Sequence, residues 1–282
     1  MRRLAINKDR FRHVARRTFL FLGFMVGIAA CAKAPITGRS QLHLVPDSEM
    51  ITMANQQYTD FLKANKLSTD KRATAQVRLV GGRVAGAVDR WLRENGMASE
   101  AKQYKWEFNL VQSKEMNAWC MPGGKVVVYT GLLPVTKTDN GLAVVLGHEI
   151  AHAVAKHGSE RMSQALLAQL GGVALSTALH SQPDKTRSLW LNAYGVGAQV
   201  GYLLPFSRTQ ESEADHLGLI FMAMAGYNPD EAVNFWQRMV AANKGGAPPE
   251  FLSSHPADSR RISQIRSWLP EARRYYTQSA MR

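Results

Sequence analysis

The sequence has 282 residues, 45% of them hydrophobic, enough to bury a sizeable core in one large domain or two small ones. Its formal charge of +13 is unevenly placed: residues 1–30 hold seven Lys/Arg and one acid, Asp9, which leaves +7 for the remainder. That remainder shows no dense basic stripe interleaved with aromatics, so no nucleic-acid partner is expected, and two cysteines, Cys31 and Cys120, are too few for a disulfide framework.

In chain order, the first 17 residues are basic, and Phe19 to Ala30 form an uncharged, mostly apolar run of 12 residues. Such a run is short for a membrane span and suits a signal-peptide core. It ends Ile28-Ala29-Ala30-Cys31, which resembles the bacterial lipobox, where the cysteine is lipidated and becomes the mature N-terminus. Several acyl chains on Cys31 give stable anchoring where one alone is marginal. Arg16-Arg17-Thr18-Phe19-Leu20 also resembles a twin-arginine export core, and that route and the general secretory one both stay open. The alternatives for residues 1–30 are an uncleaved signal anchor and an Arg-rich, acid-poor mitochondrial presequence. The lipoprotein reading expects residues 31–45 to be a tether and residues 46–282 the folded domain. It places the chain on the periplasmic side of a bacterial envelope. Ala32 carries no acidic inner-membrane retention signal, which favours the outer membrane.

No internal repeat or low-complexity tract interrupts the rest. Residues 47–66 are expected as a helix, and 70–95 as a second one interrupted at Gly81-Gly82 and closed by Gly96. Residues 104–112 alternate as a strand. The segment from Asn117 through Pro122-Gly123-Gly124 to the β-branched run Lys125–Thr130 reads as strand, turn, strand. A helix capped by Asp139 or Asn140 runs to His157 and stops at Gly158, with Leu142, Val145 and Leu146 on its buried face. Residues 160–205 are apolar and helical in pattern, and Leu166–Leu179 is expected as a buried helix, with a membrane-facing surface as the alternative. Further helices are expected over 208–225, 229–243 and 257–269. Strands in the middle and helices on both sides indicate an α+β fold.

His148-Glu149-Ile150-Ala151-His152 lies inside the capped helix. Positions i and i+4 share a helix face, so both imidazoles can reach one ion, and neutral imidazole is a good zinc ligand. Glu149 follows the first histidine and can reach a water on that metal as general base. A catalytic zinc takes three protein ligands and keeps one position open. Glu211-Ser212-Glu213-Ala214-Asp215 supplies candidates on a later helix. There Glu211 and Asp215 share a face and Glu213 points elsewhere, so one face can give both a third ligand, Glu211, and an acceptor, Asp215, able to fix a ligand histidine's tautomer. The alternative is an ordinary acidic, solvated helix face.

These residues together resemble the HtpX, BepA and LoiP type of zinc endopeptidase, related to the CAAX prenyl proteases, over roughly residues 35–265. Phe206-Ser207-Arg208 followed by Glu211, Ala214 and Asp215 is similar to that family's second signature. Thr37-Gly38-Arg39-Ser40-Gln41-Leu42, and Asn117-Ala118-Trp119 with Pro122-Gly123-Gly124, are similar to its periplasmic lipoprotein branch. The resemblance implies a zincin-like domain, mostly helical, with a small sheet beside the His148–His152 helix and one Zn²⁺ on His148, His152 and Glu211. It implies a substrate strand at Asn117, Gly123 and Gly124 that pairs with extended polypeptide. His255-Pro256 with Arg261 resembles a late motif in which the histidine closes the metal's open position as a latch. Stabilising an oxyanion and a loop histidine packed by Pro256 are the other readings of His255. Unfolded or damaged envelope proteins are the implied substrates, with outer-membrane assembly machinery as a further partner. Because the sequence ends soon after His255, no helical-repeat partner domain is expected. Arg208 is open between a salt bridge and a substrate contact, Cys120 is expected as a packed thiol, and His157 as a helix end. The rival function is a zinc-stabilised chaperone or assembly lipoprotein that binds without cutting.

Overall fold

The computed structural model describes residues 31–34, 37–178, 180, 207–242, 250–255 and 259–281. The expected signal peptide, the helical pattern over 181–205, Phe206 and Pro256 lie outside them. The chain begins with a two-stranded antiparallel ribbon, β1 (Cys31–Lys33) and β2 (Ser40–Leu42), so the segment expected as a tether has structure of its own. Helices α1 (Asp47–Ala64), α2 (Lys71–Glu94) and the short α3 (Ala98–Ala101) follow. Then come β3 (Glu107–Val111), β4 (Ala118–Met121) and β5 (Lys125–Tyr129), a 3-10 turn, and the short α4 (Leu133–Thr136). The remaining helices are α5 (Asp139–Val154), α6 (His157–Ala178), α7 (Arg208–Met224), α8 (Glu231–Ala242), α9 (Glu250–Ser254) and α10 (Ser259–Ala280). The architecture is α+β, mostly helical, with a small sheet.

The three-stranded sheet has order β3-β5-β4, with β3 parallel and β4 antiparallel to β5. Period-two alternation divides its side chains between two layers. Phe108, Leu110, Val126 and Val128 face the main helical core, while Val111, Val127 and Tyr129 meet Tyr58 and Phe61 of α1 on the other face. Helix α2 passes Gly81-Gly82 without a break. A Cβ at Gly81 would stand 2.4 Å from the Phe108 ring, so that glycine admits the sheet close to the helix instead of interrupting it.

Helix α5 is the centre of the fold. Thr138, not Asp139 or Asn140, caps it: its hydroxyl accepts the Gly141 N–H at 3.1 Å. Every residue from Gly141 to Val154 is buried, which explains why the segment is apolar all round and not on one stripe. The helix stops before the expected boundary because Lys156 has φ of 58°, a left-handed conformation that ends the α5 register, and α6 starts afresh at His157. In α6 the expectation of burial fails: Met162, Leu166, Leu167, Leu170 and Val173 are exposed along one side. Apolar composition specifies that a helix lacks charge, and its placement depends on what packs against it. Among the described residues no helix is long and apolar enough to cross a membrane. The last helix runs well past Pro270, where a stop was expected. Leu269 and Ala272 are buried on either side of that proline, and their packing offsets the lost backbone hydrogen bond.

Candidate metal centre

Helix α7 brings the acidic signature to α5. Ser207 starts it with a capping box: its hydroxyl accepts the Gln210 N–H and the Gln210 side chain accepts the Ser207 N–H at 3.1 Å. Glu211 therefore sits in the first turn, where the helix N-terminus favours a negative charge. Glu211, Asp215 and Gly218 follow one another on the same face. The two helices touch backbone to backbone at a pair of glycines. A Cβ on Gly147 would lie 2.7 Å from the Gly218 carbonyl oxygen, and one on Gly218 would lie 2.9 Å from the His148 nitrogen. Closest approach thus falls beside the first histidine of the motif.

Donor atoms of His148, His152, Glu211 and His255 all lie within 4.8 Å of one another, and all four residues are buried. His148 Nε2 is 3.0 Å from His152 Nε2, and His152 Nε2 is 3.3 Å from Glu211 Oε1. His255 Nδ1 is 2.8 Å from Glu211 Oε1 and 3.1 Å from His148 Nε2. Glu149 is buried beside them, with Oε1 3.5 Å from His255 Nε2. The other ring nitrogens point outward: His148 Nδ1 lies 2.9 Å from Asp215 Oδ1, and His152 Nδ1 lies 2.8 Å from His157 Nδ1. The inward Nε2 atoms are therefore the ones left to donate lone pairs to a common centre. Glu211 Oε2 is buried and accepts no well-aligned hydrogen bond, although Arg261 Nη1 is 3.1 Å away. Two imidazoles and a carboxylate form a nitrogen and oxygen donor set that suits a zinc-like cation.

Charge is arranged around this centre. Arg261 donates from Nε to Asp215 Oδ2 at 2.7 Å and from Nη2 to Oδ1 at 2.8 Å, while stacking 3.5 Å over the Trp236 ring. Burial opposes ionisation of Asp215, but Arg261 and His148 outweigh it and hold the carboxyl below its usual range. Burial acts likewise on Glu211, and its hydrogen bonds with His152 and His255 prevail, keeping it well below the ordinary carboxylate value. Glu149 has no comparable support. Burial pushes it up to about 8, Glu211 adds to the rise, and His148, Arg261 and the Cys120 backbone N–H only moderate it. A carboxyl close to neutrality in its titration is suited to taking and returning a proton.

The strand side is less direct than expected. Strand β4 lies at the sheet edge, and among the described residues no other strand pairs with its outer side. Cys120, Pro122 and Gly123 line a cleft with Tyr104, His152 and Lys156. Asn117 is half-buried, its Oδ1 accepting the Ala118 N–H and its carbonyl accepting the Tyr129 N–H. The carbonyls of Gly123 and Gly124 accept from Lys105 and Glu107 at 2.8 and 2.9 Å. Both glycines have positive φ, 83° and 89°, and a Cβ on Gly124 would meet the Trp106 ring at 2.8 Å. Their residue type is explained by the turn. The Cys120 thiol is held well above its ordinary pKa by burial, with the Glu149 charge adding, as a packed thiol should be. Arg208 is exposed at the start of α7. His157, expected only as a helix end, is fully buried against His152, and burial lowers its pKa.

Comparison with known proteins agrees with this geometry. Residues 82–269, about two thirds of the chain, match the profile of peptidase family M48. The mitochondrial metalloendopeptidase OMA1 of Schizosaccharomyces pombe is 38% identical over 186 residues, which is 66% of this chain and 53% of that protein. The human metalloendopeptidase OMA1 is 28% identical over 246 residues, 85% of this chain and 46% of that protein. The β-barrel assembly-enhancing protease of Yersinia pestis is 32% identical over 166 residues, 57% of this chain and 34% of that protein. The chain spans about half the length of the curated OMA1 relatives it matches. The matched segment contains the α5 histidines, Glu149, the α7 carboxylates, His255 and Arg261, and on that ground the chain belongs to peptidase family M48.

Proposed function

We propose that the chain is a zinc-dependent endopeptidase that cuts extended, unfolded polypeptide, with the metal on His148, His152 and Glu211. The observation that carries this reading is the convergence of three donor atoms on one buried point with a raised-pKa glutamate beside it. A bound zinc supplies Lewis-acid polarisation of the scissile carbonyl and acidifies a water. Glu149 accepts that water's proton and returns it to the leaving amine. Asp215, clamped by Arg261, holds His148 with its Nε2 inward. The outer edge of β4, reached through the cleft at Cys120, Pro122 and Gly123, orients the substrate by backbone pairing. Asn117 and Gly124 border that edge, and their carbonyls accept the Tyr129 and Glu107 N–H groups within the sheet, so we assign the pairing to β4 itself.

His255 acts as a latch. Its Nδ1 stands as close to Glu211 and His148 as the ligands stand to one another, which favours occupation of the open position over a packed loop histidine. Moving it aside frees the site for water. We further propose that the chain is anchored in a bacterial envelope by lipid on Cys31 and serves protein quality control there. The apolar run that ends at Cys31 and the similarity to the β-barrel assembly-enhancing protease support that setting. The OMA1 relatives favour a mitochondrial presequence as the second reading of residues 1–30. Mass spectrometry of the parent and of Cys31→Ala separates the two, since only a lipoprotein loses a lipid.

The test is incubation of the purified chain with an unfolded protein, with and without chelator. Glu149→Gln is expected to keep the metal and lose cleavage by at least about a hundredfold. Cleavage that survives this substitution removes Glu149 as the base. A chain that binds unfolded protein and never cuts it, in any metal state, is the zinc-stabilised chaperone instead.

A further inference from the structure

Two features play no part in that reading: the Thr37–Leu42 segment and His157. The fold joins them. His157 Nε2 lies 3.0 Å from Glu213 Oε2. A carboxylate can only accept, so neutral His157 carries its proton on Nε2 and leaves Nδ1 as an acceptor. His152 Nδ1, 2.8 Å from that nitrogen, is then the donor, which aims the His152 Nε2 lone pair at the ligand cluster. Glu213 is fixed in turn by the N-terminal segment. Arg39 Nε donates to Glu213 Oε2 at 2.6 Å, and the Thr37 hydroxyl donates to Glu213 Oε1. The remaining guanidinium nitrogens of Arg39 grip both oxygens of Glu160 at 2.9 and 2.8 Å, and Glu160 also accepts from Gln210 Nε2 at 2.7 Å. His157, Glu160, Gln210 and Glu213 are all buried, so the path has little water to substitute for a lost partner.

We propose that Arg39, Thr37, Glu213 and His157 form a positioning path that holds His152 for the metal, so that the docked segment after Cys31 is a working part of the metal site. The inference rests on the reading of His152 as a ligand. His157 and Glu213 touch no substrate; they act through His152. Docking of residues 37–41 therefore couples the N-terminal end of the described chain to metal retention.

The test measures zinc affinity of the full chain by competition with a chromophoric chelator, and the visible absorption spectrum of the cobalt-loaded chain. His157→Leu removes the acceptor and is expected to lower affinity roughly ten- to a hundredfold and to shift the cobalt bands. His157→Gln offers a carbonyl to His152 and an amide to Glu213, and should recover most of that loss. Arg39→Ala, at the partly exposed outer end, should weaken zinc in the same direction, and the Arg39→Ala, His157→Leu double variant should be no weaker than His157→Leu alone. Thermal unfolding of the metal-free proteins reports folding separately, and Arg39→Ala reads the path even if His157→Leu does not fold. Unchanged affinity and cobalt spectra in both single variants, with binding abolished by His152→Ala, overturn the positioning path and leave the metal site standing. Unchanged binding in His152→Ala overturns the ligand reading itself, and the path with it.

Discussion

The two imidazoles of the α5 motif are held from opposite sides by different means. His148 meets Asp215 directly, and Arg261 closes that pair with two hydrogen bonds while lying over Trp236, all inside the core. His152 meets a second imidazole, His157, and reaches its carboxylate, Glu213, one step later; the arginine on that side is about a quarter exposed. The first support is short, charged and dry. The second is longer and ends on a surface segment. A dry clamp is costly to break, because each partner removed strands a buried charge. A support that ends at the surface loses less, since water can enter at Arg39.

Arg261→Ala should break this contrast most forcefully. It leaves Asp215 and Glu211 buried without their cation, and about 3–5 kcal/mol of stability should be lost in denaturant unfolding of the metal-free chain. Arg39→Ala should cost well under half as much. Equal losses would mean the two supports are energetically alike. Next comes Glu149, whose charge Arg261 favours too weakly to offset burial. In the metal-free chain its folded pKa is about 8, against an ordinary 4.5. The folded state keeps a proton that the unfolded chain releases, so its contribution to stability is complete below about pH 4.5 and is lost as pH rises through 8. Glu149→Gln should match the parent near pH 4. Above pH 8 it should exceed it by an amount on the order of 4 kcal/mol. Parallel pH profiles for the two proteins would show that burial does not set this carboxyl. Gly218→Ala is expected to cost about 1–3 kcal/mol through forced separation of α5 and α7. It should widen the His148 side and weaken zinc while leaving His152 and His157 as they are. Full zinc affinity in that variant would show that the helix crossing does not set the ligand gap.

Much of the site could be read from spacing. His148, Glu149 and His152 share one helix, and Glu211 with Asp215 repeats the i, i+4 interval on another, so local periodicity carried both pairs. His157 escaped because helix-stop signals around Gly158 suggested an end, whereas the backbone turns at Lys156 and returns the imidazole to His152. The Arg39–Glu213 contact joins positions 174 apart in the chain, a distance over which no periodicity speaks. The fold divides the same way. Helices α5 and α6 are both rich in apolar residues, yet one is buried all round and the other exposes Leu167, Leu170 and Val173. Composition alone does not say which partners a helix will find. The last helix, expected over 257–269, continues through Pro270 to Ala280 because a helix-breaking residue is tolerated where neighbouring side chains pack well enough to keep the helix intact.

The glycine pair at the α5–α7 crossing has one more consequence. Gly147 and Gly218 bind nothing and carry no charge, yet their missing side chains fix how near the imidazole-bearing helix comes to the carboxylate-bearing one. The calibre of the metal pocket is thus written in two absent methyl groups, one residue before the motif and three residues past Asp215. A homologous pocket could take an ion of another radius with every ligand unchanged, simply by respacing the two rods that carry them.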